Sequence, residues 1–310
     1  MARVCSHRYA HLPKASLEIT VRMESLLQAI LSGLFVGSIL ALLSAGFGLV
    51  WGATGTINIS HTAFSVAAAY LAYWLTSFGL WGFFSSLIAA PLLAFALGVL
   101  TYRSIVRPAA ANVGELGLVT LVSTLGIGVA LENLLAAIWG PGPRVLSLPI
   151  STEAIRVLDV SVPTSTLLAA SFAWLGLIVL WFFLYKTYTG KAVRAVWQDP
   201  VGAALYGIDR DRVTDVAFGV ATATAAVAGV AMALIYAFSP ATYIEWLIWA
   251  FLIVIVGGVG SPLGTFISGL LVGVISTVVG LWAPFSWLPV ILFAFLIGVV
   301  LWRPTGLFRI

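Results

Sequence analysis

Charge is what this chain lacks. Of 310 residues only 15 are Lys or Arg and 11 are Asp or Glu, so 8% of the chain is charged, where a soluble domain carries about 25%. Mean hydropathy is +1.10. Residues 25–102, 160–185, 216–244 and 246–302 contain no acid or base, and 116–138 is interrupted only by Glu132. A water-soluble core is excluded. At roughly 20 residues per crossing the charge-free tracts accommodate three, one, one and two or three spans, and 116–138 adds another, about eight or nine in all. The expected fold is an all-α polytopic membrane helix bundle. Cysteine is equally scarce: Cys5 stands alone, which excludes an intrachain disulfide. Cys5, His7 and His11 lie in an N-terminal tail and make too poor a ligand set for a metal, which needs about four. No metal and no other cofactor is expected. A GxxxxGK[ST] phosphate loop is also missing. The one Gly-Lys pair, Gly190-Lys191, is followed by Ala192 and has Tyr185 where the first glycine belongs, so ATP binding of that kind is excluded. Energy for any transport must come from a partner or an ion gradient. The net charge of +4 reflects loop residues and implies no nucleic-acid partner.

The charge that is present is concentrated. Lys186 to Arg212 holds Lys186, Lys191, Arg194, Asp199, Asp209, Arg210, Asp211 and Arg212. Asp199 followed by Pro200 reads as a helix start, because the carboxylate can cap free N–H groups and Pro suits the first helical position. Gly207 supplies a stop, since glycine tolerates the left-handed conformation that ends helices. The expected product is a helix of about two turns, with small residues Ala203 and Ala204 at the contact with a soluble docking partner. The basic residues place loop 186–212 in the cytoplasm, with Arg103, Arg107, Arg303, Arg309 and the C-terminus on the same side. The segment 140–163 then faces outward, its Arg144 and Arg156 balanced by Glu153 and Asp159. Residues 1–24 read as an N-terminal extension before a transmembrane domain at 25–310. Met23 directly precedes the hydrophobic start, so an overlong start is one reading; three crossings before Arg103 put the N-terminus outside, and two crossings plus a re-entrant piece put it inside.

Glycine marks the spans. Gly33–Gly37, Gly48–Gly52 and Gly269–Gly273 are GxxxG pairs, which permit close helix approach, here expected inside one bundle. Two polar, glycine-containing breaks interrupt apolar tracts, at Gly52–His61 and at Gly257–Gly264. Broken or re-entrant helices are tolerated at membrane depth only where they line a cavity or are covered by protein, and transporters place substrate routes there. The candidate pathway residues are therefore Asn58, His61, Gly257, Gly258, Gly260 and Ser261. Asn58 and His61, three apart, share a helix face. Either they line the route or they satisfy backbone groups freed by the break. Glu132, Asp215 and Glu245 make a thin proton relay: Asp215 and Glu245 sit at helix starts, where an acid is favourable, and only Glu132 is deep.

These segments resemble the permeases of branched-chain amino-acid ABC importers, the LivH/LivM family, from about residue 27 to 308. The carriers of the likeness are Ile57-Asn-Ile-Ser-His61, Gly190–Asp199 with Ala203–Ile208, Val256–Gly264 and Arg303-Pro-Thr-Gly-Leu-Phe308, in the family's order. Members often carry Gly and an acidic residue after the histidine, where Thr62 and Ala63 stand here. The resemblance implies a bacterial inner-membrane subunit with no catalytic residues of its own. It pairs with a second permease (a related chain or a copy of itself), two cytoplasmic ATP-binding subunits that dock at Asp199, Pro200, Ala203, Ala204 and Gly207, and an extracytoplasmic solute-binding protein. Branched-chain amino acids are the family's default cargo, and urea, amides and aromatic compounds are carried by look-alikes. An ion-coupled secondary transporter or channel is the rival class. It would explain the spans and breaks, but it would not need the capped helix and would keep more ionisable groups in the bundle.

Overall fold

The computed structural model describes residues 14–55, 57–113, 116–148, 154–157 and 160–308. Cys5, His7, His11, Glu153, Asp159, Arg309 and residues 1–13 of the expected extension lie outside the described residues. The rest is a helical bundle with one small hairpin. Helix α1 runs Lys14–Thr54, α2 Ser60–Thr76 and α3 Leu80–Thr101. A π-helical turn, Tyr102–Val106, joins α3 to α4, Arg107–Val113, and α5 spans Leu116–Trp139. Strands β1, Ala154–Val157, and β2, Val160–Pro163, pair antiparallel. Then come α6 Thr164–Lys186, α7 Tyr188–Gln198, α8 Pro200–Leu205, α9 Arg210–Ala233, α10 Thr242–Gly257, α11 Pro262–Val279 and α12 Leu288–Trp302.

Six helices are long and apolar enough to cross a membrane: Met23–Thr54, Leu80–Ala109, Gly117–Trp139, Thr164–Lys186, Arg210–Ala233 and Pro262–Val279. The apolar helices Thr242–Gly257 and Leu288–Trp302 are shorter. The expectation of eight or nine spans divided each tract by a standard crossing. The chain instead spends 32 residues on the first apolar helix and only 17 on α2, 16 on α10 and 15 on α12. A 15-residue helix is about 22 Å long, short of the ~30 Å hydrocarbon layer.

Small residues set the centre. Helices α1 and α11 cross where Gly33 and Gly37 meet Gly269 and Gly273, so that a Cβ on Gly269 would lie 2.6 Å from the Ala41 Cα and one on Gly37 2.8 Å from the Gly269 oxygen. The two GxxxG pairs therefore serve one intrachain seam. Helix α9 is the most buried of the six long helices, and Ala217, Ala221, Ala225 and Ala228 along it are fully buried. Where α9 meets α3, the Thr222 hydroxyl donates to the Ala94 carbonyl at 2.8 Å.

The two ends of the bundle differ. At one, Arg103 Nε lies 2.7 Å from Asp215 Oδ2 and Arg107 Nη2 lies 2.8 Å from Asp211 Oδ2, so the first basic cluster and the charged loop do share an end. At the other, Gln28 Nε2 donates to the Ser161 carbonyl, and Arg144 and Phe238 exchange backbone hydrogen bonds. Helix α1 thus starts at the end opposite the charged loop.

Filling the α1–α11 seam tests this packing. Gly269→Val drives a side chain into backbone and should cost about 1–3 kcal/mol, read as a lower melting temperature of the detergent-solubilised chain. Gly126→Ala, with nothing within 4 Å of the new Cβ, should leave melting unchanged or raised.

Candidate pathway and docking site

The charged loop folds as two helices. Thr187 caps α7, its Oγ1 accepting from Gly190 N at 3.0 Å. The apolar side of α7 is buried through Val193 and Val196, while Lys191 and Gln198 are exposed. Asp199 Oδ1 then accepts from Val201 N at 3.0 Å and Gly202 N at 2.9 Å, Pro200 occupies the first turn, and Gly207 follows at φ +78°. The capped short helix expected from Asp199-Pro200 and Gly207 is present as α8. Its faces are not as expected. Ala203 is 6% exposed and packs in a cluster with Val193 and Val196, so it holds α8 against its own chain and offers nothing outward. Ala204 is exposed. The large outward side chains are Val201, Leu205 and Tyr206, at 72%, 84% and 90%. Sequence reasoning passed over them because small residues suggested the contact.

Behind α8, Trp197 at the end of α7 fills the gap that two glycines leave. A Cβ on Gly52 would overlap the Trp197 ring, and one on Gly260 would lie 3.3 Å from Trp197 Nε1. A cavity of about 790 Å³ opens beside it, lined among others by Trp51, Gly55, Arg194, Trp197, Ser261 and Phe308. The second break therefore sits at the charged end, and not at membrane depth as its apolar flanks suggested. The C-terminal segment covers it: Leu307 N donates to the Val256 carbonyl at 2.9 Å, and a Cβ on Gly306 would overlap Gly258. Gly257 packs on the Gly264 backbone. Ser261 Oγ accepts from Gly264 N at 3.1 Å, capping α11, and donates to the Phe308 carbonyl at 3.3 Å. Of the four residues proposed there, only Gly260 and Ser261 face the cavity.

Asn58 and His61 lie elsewhere. Beyond Thr54 the chain turns back along α1, and α2 begins level with Leu43, about 16 Å from the helix end. His61 Nε2 is 2.9 Å from the Leu43 carbonyl. A carbonyl only accepts, so that nitrogen carries the proton and Nδ1 is left as an acceptor. The imidazole also meets Phe47 edge-on at 5.7 Å between centroids. Ser60 Oγ donates to Asn58 Oδ1 at 2.8 Å, and the freed Ile59 N–H finds Thr124 Oγ1 at 3.1 Å. Asn58 and His61 are fully buried, yet Asn58 Nδ2 and His61 Nδ1 have no partner among the described residues. One is a donor and the other an acceptor, and each orphan costs about 1–3 kcal/mol. The structure does not bring this pair into the cavity that Gly260 and Ser261 face.

The acids separate as well. Asp215 pairs with Arg103, Glu132 lies near enough to Tyr243 to act on its hydroxyl electrostatically, and Glu245 stands in the first turn of α10. No group of three or more metal-ligating side chains occurs among the described residues.

Residues 29–301 match the family described as the branched-chain amino acid transport system / permease component. The high-affinity branched-chain amino acid transport system permease protein LivH of Salmonella typhimurium is 28% identical over 91% of this chain and 94% of its own. BraD of Pseudomonas aeruginosa is 28% identical over 91% and 95%. A probable LivH of Methanocaldococcus jannaschii is 26% identical over 79% and 78%. No solved structure matches the chain.

Thiol labelling separates the two places. In a Cys5→Ser background, Gln198→Cys, beside the cavity and exposed, should react readily with a water-soluble maleimide. Asn58→Cys and His61→Cys should react at least about tenfold more slowly in the resting chain, because reactivity follows exposure.

Proposed function

The chain belongs to the branched-chain amino acid permease family, and on that premise we propose that it is the membrane-spanning subunit of an ABC importer for branched-chain amino acids or a related small polar solute. The observation that carries the reading is the charged loop. A bundle this apolar presents a capped helix with Val201, Leu205 and Tyr206 facing water, and it holds that helix through Ala203 and Trp197 against both glycine breaks. An exposed apolar edge tied to the bundle's two discontinuities has the form of a coupling device. One of the assembly's two cytoplasmic ATPase subunits seats on α8, around the cap Asp199-Pro200 and the stop Gly207, with Val201, Leu205 and Tyr206 at the contact and Ala204 on the exposed side. Motion of α8 passes through Trp197 to Gly52 and Gly260.

In this reading the charged end and C-terminus are cytoplasmic, consistent with the gathering of Lys186, Lys191, Arg194, Arg210 and Arg212 there, in a bacterial inner membrane. Residues 25–310 form the permease domain, with 1–24 preceding it. The crossings number nine if α10, α12 and the partial-depth α2 are each counted as one, and eight if α2 is left out. The route for solute runs past the buried Asn58 and His61, whose orphaned donor and acceptor suit a transient polar guest, and leaves by the cavity at Gly260 and Ser261. Gly257 and Gly258 act as its packed hinge. A second permease subunit and an extracytoplasmic solute-binding protein complete the assembly.

Replacing Leu205 and Tyr206 with Asp should abolish ATPase co-purification without lowering the permease melting temperature. Trp197→Ala should retain the ATPase but cut uptake by at least about tenfold, ~1.4 kcal/mol of coupling. Normal import by Trp197→Ala would remove the wedge from the mechanism. The ion-coupled alternative is separated in liposomes. This chain alone, under a proton or sodium gradient, should move no leucine, and uptake should require the ATPases, binding protein, companion permease and ATP. Glu132→Gln should keep most of that uptake, since one half-buried acid on α5 makes no proton relay.

A further inference from the structure

At the end opposite the charged loop, α1, α9, α10, α11 and α12 converge on a cavity of about 490 Å³, within the ~300–1,000 Å³ of ordinary small-molecule sites. Its walls include Leu40, Leu288, Trp246 and Trp249, with Tyr236, Thr242, Glu245, Ser276 and Thr277 as polar members. Among the described residues no basic side chain lines it, and Glu245 makes no ion pair. An acid in a helix's first turn is favoured by the helix dipole alone, and that accounts for Glu245 in sequence terms. It does not account for the cavity beside Glu245 or for the two tryptophans one and four residues further along α10.

One carboxylate among aromatic faces and aliphatic walls selects a particular chemistry. The carboxylate attracts a cation, indole and phenol rings favour an ammonium over their faces, and the aliphatic walls favour a hydrocarbon body. A ligand carrying only a negative group is repelled by Glu245 and meets no counter-charge. The geometry points to an entry subsite for a primary ammonium on a branched aliphatic skeleton, with Glu245 as the ammonium partner and Trp246 and Trp249 beside it. This rests on the import function proposed above and adds where the cargo is first held, and by which of its groups. Glu245 reads the amine. Neither Asn58 nor His61 lines the site, although its Leu40 is one turn of α1 from Leu43, the partner of His61, and it lies near the face that a solute-binding protein would approach.

The chain assembled with its partner subunits in nanodiscs tests the assignment through tryptophan fluorescence. L-leucine and isoamylamine, which lacks the carboxylate, should both perturb the emission at saturable concentrations, whereas isocaproate, which lacks the amine, should not. Glu245→Gln should weaken both effects by about tenfold or more, Glu245→Asp should retain most of the affinity, and Trp249→Leu should weaken binding at an unchanged melting temperature. Glu245 is exposed, so its replacement leaves the fold in place. Equal leucine affinity in wild type and Glu245→Gln, or isocaproate binding as tight as leucine, overturns the subsite. ATP-dependent leucine uptake by the same complex is measured in parallel. Uptake whose apparent affinity is indifferent to Glu245→Gln removes the subsite and leaves the import function standing. Glu245-dependent isoamylamine binding in a wild-type complex that imports no leucine keeps the subsite and removes the function.

Discussion

Everything in this bundle depends on how closely α1 and α11 approach. Four glycines, Gly33, Gly37, Gly269 and Gly273, let two backbones meet with only small side chains such as Ala41 and Thr277 at the contact. In lipid no hydrophobic force pulls helices together, and close van der Waals contact must do so instead. The seam fixes α1, and α1 fixes much else: Leu43 receives His61, Gly52 receives Trp197, and Leu40 forms part of the cavity at the opposite end. Shifting this one contact would displace three sites along a single helix.

A second constraint acts where helices are interrupted. Backbone N–H and C=O groups inside a membrane must find partners within the protein, and the chain answers differently at its two breaks. Before α2, polar side chains provide the partners, Thr124 accepting from Ile59 N and His61 engaging the Leu43 carbonyl. Before α11 the C-terminal segment folds back so that Leu307 N reaches the Val256 carbonyl, and the Ser261 hydroxyl serves Gly264 N and the Phe308 carbonyl. Only the first leaves complementary orphans, Asn58 Nδ2 and His61 Nδ1. That difference separates a packed hinge from a place with unsatisfied polar groups, although both read alike as glycine-bearing gaps.

Much of this was legible in the sequence, because charge is informative when it is rare. The helical class, the shared end of Arg103, Arg107 and the charged loop, and the capped helix from Asp199 to Gly207 followed from residue type and local stereochemistry. Depth was not legible. Apolar flanks around Gly257–Gly264 say nothing about whether the break lies at the middle or the rim of the bundle, and only the docking of Phe308 decides it. Facing was lost on α8, too short for a period to emerge, so buried Ala203 and exposed Leu205 could not be told apart. The hairpin β1–β2 escaped because its four-residue strands carry little signal. The cavity around Glu245 needs five elements far apart in sequence, and no local pattern announces it.

The unequal helix lengths also bear on the lipid itself. The apolar run of α1 spans about 48 Å at 1.5 Å per residue, and α12 about 22 Å. The continuous helix Leu80–Ala109 is nearly as long as the first, at 30 residues. Its Ile88, Leu92 and Leu97 are exposed, as are Val290, Ile297 and Leu301 on α12. The bundle therefore presents walls of different height around its perimeter. On the proposed count, in which α12 crosses the membrane, hydrophobic mismatch of this kind costs fractions of a kcal/mol per Å, so the surrounding bilayer would be drawn thin beside α12, and beside α3 it would thicken or the helix would tilt. The annular lipids are sorted by acyl-chain length before any partner protein arrives, and the thinned flank at α12 is where a neighbour that covers it relieves the most strain in the membrane.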